Sequence, residues 1–130
     1  MSNTNQNLLN QTLAALTLTE ISEALTVVES ALPNGTLNDE QRRALNSINI
    51  ANKVFAEEVL DEMNTNPIPA VNTTYSKEYL ANDINLFEQM ESIISRIKNI
   101  TQKLEDIRRI AGHEAYGIAT AAYNMLEGMA

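Results

Sequence analysis

Hydrophobic residues recur along this chain at spacings of three and four, the interval that lines side chains along one face of an α-helix. The first stripe is Ala14, Leu18, Ile21, Leu25, Val28 and Leu32, and Leu9, Leu13 and Leu16 extend it upstream, which predicts a helix over about 4–32. Asn3, Asn5, Asn7 and Asn10 compete for backbone hydrogen bonds and fray its start. Pro33-Asn34-Gly35 ends it, because proline cannot continue the ladder and glycine supplies the positive φ of a tight reversal.

A second helix is predicted over 38–64. Asn38 followed by Gln41 is a capping pair, Leu37 is placed to staple the turn, and Asp39 and Glu40 face the positive helix end. Its stripe reads Leu45, Ile48, Asn52, Phe55, Val59 and Met63, with Ile50, Val54 and Leu60 on a further face, a width that calls for more than one neighbouring helix. Asn52 sits in that stripe as a polar residue among apolar ones, the pattern of a position that fixes register or oligomeric state. Pro67 and Pro69 stop the helix and open a connection to about Thr74.

From Ser76 the regularity lengthens. Leu86, Met90, Ile93, Ile97, Ile100, Leu104, Ile107 and Ala111 keep a three-four alternation over about three and a half heptads, the repeat of a coiled coil. Leu80, Ile84, Phe87 and Ile94 form a flanking stripe. Gly112 and Gly117 then interrupt, each costing about 1 kcal/mol against alanine in a helix interior. A break near Gly112 would give helices over 76–111 and 113–129; without one, residues 76–129 form a single rod of roughly 80 Å. One long rod, straight or kinked, is the favoured alternative, and its small-residue segment would then need a second copy of the chain to cover it. The fold expected is all-α, an antiparallel helical bundle of three to four helices in one domain spanning 1–130, its last helix very long or broken near Gly112.

Composition narrows the chemistry. The 130 residues include no cysteine and one histidine, His113, which removes thiolate nucleophiles, disulfides and zinc–thiolate sites and leaves any multi-histidine metal site without ligands. The inward glutamates with Glu-x-x-His of a carboxylate-bridged metal bundle are missing: Glu57, Glu58, Asp61 and Glu62 read as a solvated face, and His113 and Glu114, being adjacent, diverge. No glycine-rich phosphate loop occurs, and Asp61, Asn64 and Asn66 lack the spacing and central glycine of a calcium loop. The N-x-[ST] sequons at Asn10, Asn34, Asn72 and Asn99 read as chance in an Asn- and Thr-rich chain. No cofactor is expected.

The net charge is −8 and the pI about 4.5, against binding nucleic acid or a membrane surface through a basic face. No lysine or arginine precedes Arg42, whereas Arg96, Lys98, Lys103, Arg108 and Arg109 concentrate positive charge on the long helix. The first residues lack the basic start of a signal peptide, and no apolar run approaches the roughly 18 residues of a membrane span, so a cytoplasmic protein is expected.

These readings predict a non-enzymatic protein acting by homo-oligomerisation, most simply as a homodimer, or through a protein partner. The candidate interface is Ile107, Ala111, Ala115, Tyr116, Ala119, Ala122 and Tyr123, where small residues permit close helix approach and Tyr116 and Tyr123, seven apart, share a face. The alternatives are a subunit of a phage-like or secreted helical assembly, suggested by composition, and a small-ligand-binding bundle or enzyme with a cavity near Phe55, Phe87 and Met90. An acidic mimic of nucleic acid is a fourth reading, resting on charge alone.

Overall fold

Side-chain caps account for where three of the four helices begin. The structure is a computed structural model that describes Leu9, residues 11–66 and residues 76–129. Four helices lie among the described residues: α1 (Ala15–Ala31), α2 (Asp39–Ala44), α3 (Ile50–Thr65) and α4 (Lys77–Met129). They make up 83% of the described residues, with no strand, so the chain is all-α as the periodicity predicts.

α1 is shorter than expected. Leu9 and residues 11–14 are not helical, Ala14 at the N-cap offers no side-chain cap, and the remaining expected positions, 4–8 and 10, lie outside the described residues. The helix ends at Ala31, and Leu32 is extended (φ −78°, ψ 143°), as the residue before a proline must be to avoid the ring of Pro33. Gly35 does not take the expected left-handed conformation, since no described residue has positive φ.

The helix expected over 38–64 is two helices. Asn38 caps α2 as predicted: its Oδ1 accepts from the Gln41 N–H at 2.8 Å while Gln41 Oε1 accepts from the Asn38 N–H at 3.0 Å. Arg42 then donates to Asp39 and to the Leu37 carbonyl, each at 2.8 Å. α2 closes at Ala44 with Leu45 extended, and a second capping box opens α3, in which Asn49 Oδ1 accepts from the Asn52 N–H at 2.9 Å and Asn52 Oδ1 from the Asn49 N–H at 3.1 Å. Asn52 is therefore a capping residue, exposed in the single chain. The stripe through Leu45 and Ile48 continues past a break it does not register. α3 ends at Thr65 with Asn66, whose N–H donates to the Glu62 carbonyl at 2.7 Å; of the expected connection, residues 67–75 lie outside the described residues.

α4 starts where Ser76 Oγ accepts from the Tyr79 N–H at 3.1 Å. It runs 53 residues without interruption through Gly112 and Gly117, so the single-rod alternative is the one observed. The two interior glycines, Gly112 and Gly117, cost this helix about 2 kcal/mol in total, spread over 53 residues; Gly128 stands in its last turn.

The chain packs as two compact units. One comprises Thr36–Lys98, with α2, α3 and the first part of α4; the other comprises Met1–Gly35 and Asn99–Ala130, with α1 and the rest of α4. In the first, Ile84 is buried, half-buried Ala56, Val59, Leu60 and Met63 of α3 and Leu80, Phe87 and Met90 of α4 accompany it, and Lys53 Nζ pairs with Glu88 Oε1 at 3.1 Å. In the second, no described side chain is buried.

Candidate interaction surface

α4 carries all seven residues of the candidate interface, and its continuity fixes how they face. At about 100° per residue, Tyr116 and Tyr123 lie within about 20° of one another, with Ala119 beside them. Ile107 and Ala111 fall on the opposite side of the helix, in the stripe that begins at Leu86, and Ala115 and Ala122 lie toward that side. The seven therefore make two faces of one helix rather than one patch. Tyr116 is 76% exposed and Tyr123 61%, Ile107 is 43% exposed, and the four alanines are exposed.

The three-four series that includes Ile100, Leu104, Ile107 and Ala111 continues to Glu114 and then Ile118 and Met125. Glu114 diverges from the adjacent His113, as helical neighbours must, but the sequence did not single it out for a contact of its own. It is half-buried, its Oε1 accepts from the Leu9 N–H at 3.2 Å, and its Oε2 is screened from solvent with no hydrogen-bond partner among the described residues. The link ties positions 105 residues apart within one unit and sets Leu9 against α4. Its signal in the sequence is its place in the apolar series, which the change of residue type obscures.

Around these residues the second unit is bare on both helices. Leu16 (69%), Leu25 and Val27 of α1 and Ile118, Met125 and Leu126 of α4 are all exposed. Thr19 and Thr26 on α1, and Thr120 on α4, return their hydroxyl protons to the carbonyl four residues back, at 3.0, 3.0 and 2.8 Å. Tyr123 OH donates to Glu127 Oε1 at 3.4 Å.

The first unit offers a different kind of site. Asn46, Ser47, Ile48, Lys53 and Ala56 face Leu80, Asp83, Ile84 and Phe87 across an open pocket of about 420 Å³. It includes Phe87 from the expected cavity but neither Met90 nor Phe55, which is 67% exposed. The hydrogen bond to Glu88 raises the Lys53 ammonium above its ordinary 10.5; partial desolvation opposes this, and the charges of Glu88, Glu57 and Glu91 reinforce it. Lys53 is thus a charged rim and not a neutral base.

Among the described residues no three His, Asp or Glu side chains gather as a metal site would need, and no helix is long and apolar enough to cross a membrane. Compared with families of known proteins, with curated proteins and with solved structures, the chain matches none.

Proposed function

We propose that this protein works by association, first of all with further copies of itself. The observation that carries this reading is the contrast, among the described residues, between one buried side chain, Ile84, and the run of exposed large aliphatic and aromatic residues along α1 and along α4 beyond Asn99. Burying a leucine or isoleucine completely is worth about 1.5–3 kcal/mol, so each such side chain left half exposed withholds about 1 kcal/mol that a partner surface would supply. Apolar helix faces of this extent mark interaction surfaces in soluble proteins.

Sedimentation equilibrium over a hundredfold range of concentration tests the reading. A mass of two or more chains is expected; a single-chain mass throughout, together with no binding of an apolar dye, refutes it. A second reading, a small-ligand-binding bundle, is favoured by the 420 Å³ pocket, whose size suits a small organic molecule and whose floor of Ile48, Ala56, Leu80, Ile84 and Phe87 is apolar. A native mass spectrum distinguishes the two, because a single chain carrying a retained small molecule would place the pocket first.

A further inference from the structure

We infer that the partner on the tyrosine face of α4 is a second copy of the same helix, lying antiparallel and centred near Ile118. This rests on the self-association reading and adds an orientation and a register to it. Arg109 stands nine residues before Ile118 and Glu127 nine after, and their separation of eighteen positions is about five whole turns, so both project from the same side of the helix. Tyr116 and Tyr123 fall in the same row between them. All four are exposed.

Charge complementarity selects the orientation. In an antiparallel pair centred on Ile118, Arg109 of each copy meets Glu127 of the other, twice per dimer, and Tyr116 meets Thr120. A parallel pair in register sets Arg108 and Arg109 against their own counterparts and Glu127 against Glu127, which is unfavourable at both ends. The Tyr123 hydroxyl holds the Glu127 carboxylate at 3.4 Å, restricting it to the same row.

Area agrees. A buried tyrosine removes about 150–250 Å² from water, so Tyr116 and Tyr123, at 76% and 61% exposure, offer on the order of 300 Å² per chain. Two chains then supply about half of the roughly 1,200 Å² that a specific interface needs, and Leu126, Ala119 and the aliphatic stems of Arg109 flank the rings to supply more. Ala119 and Thr120, between the two rings, are small enough for the helices to approach.

The absence of cysteine makes the test clean. Arg109→Cys and Glu127→Cys are prepared as separate full-length chains and oxidised alone and mixed. The antiparallel pair predicts disulfide-linked dimers in the mixture and little or none in either chain alone. Charge reversal provides the independent measurement: Arg109→Glu and Glu127→Arg each weaken dimerisation on the order of tenfold, and the double variant restores it. Cross-links within each single variant, or a mixture without cross-links and a double variant without recovery, overturn the inference while a dimer mass for the wild-type chain leaves self-association standing. A wild-type chain that sediments as a monomer overturns both.

Discussion

Replacing Gly117 with alanine should make the protein more stable, and the size of the gain follows from the helix around it. Gly117 lies inside α4, has no positive φ, and a methyl group built on it meets nothing within 4 Å. The substitution therefore removes backbone freedom from the unfolded chain and adds no clash, worth about 0.5–1 kcal/mol. At about 2.1 cal/mol/K per residue, the unfolding entropy of 130 residues is roughly 0.27 kcal/mol/K, so the midpoint should rise by about 2–4 °C. Circular dichroism at 222 nm on heating, at one fixed protein concentration, reads this directly, the fixed concentration being needed because association alone moves the midpoint. A midpoint that stays put or falls would refute the reasoning: alanine propensity has nothing to act on if α4 is not helical at that point. Gly112→Ala, in equally open surroundings, should add a similar increment.

Two further outcomes follow from the Thr36–Lys98 unit. Ile84→Ala should cost about 2 kcal/mol, the low end for such truncations because the space left opens into the adjoining pocket, and urea denaturation should show a lower midpoint at unchanged slope; a loss under about 0.5 kcal/mol would show that Ile84 anchors nothing. Because the Lys53 pKa is raised on folding, its contribution to stability is complete below the ordinary 10.5 and is lost as pH rises through the higher folded value. Lys53→Met should accordingly flatten the alkaline limb of the stability curve above about pH 10, measured by urea midpoints; identical limbs in the two proteins would contradict the pairing with Glu88.

What the sequence discloses here depends on whether a signal is repeated or local. The three-four alternation from Leu86 to Ala111 repeats the same spacing many times, and α4 is accordingly where it was expected. The Asn38 cap was legible because glutamine at the third position, aspartate and glutamate in the first turn all point the same way. The cap at Asn49 was not, for two reasons. Asparagine takes the place of the usual glutamate or glutamine at its third position, and Leu45, Ile48, Phe55 and Val59 preserve helical spacing across a segment, 45–49, that is not helical. Apolar spacing reports which face residues would share if the helix continued, and says nothing of whether it continues. The candidate interface shows the same limit. The sequence identified its residues, but only a continuous α4 separates Ile107 and Ala111 from Tyr116 and Tyr123, and Glu114 entered the apolar series under a charged name.

The threonine hydroxyls on α1 and α4 alter what counts as a wet surface. Thr19, Thr26 and Thr120 each hand their proton to a carbonyl of their own helix, so none requires a water molecule to receive it. Such a side chain can be dehydrated while keeping the bond it already has, and what it then presents outward is largely its methyl group. A hydropathy scale scores these positions as neutral or polar, whereas the thermodynamics of covering them is closer to that of an aliphatic group. Where Thr120 stands between Tyr116 and Tyr123, the row that loses water when another helix arrives is continuous, and its desolvation is cheaper than the residue names suggest.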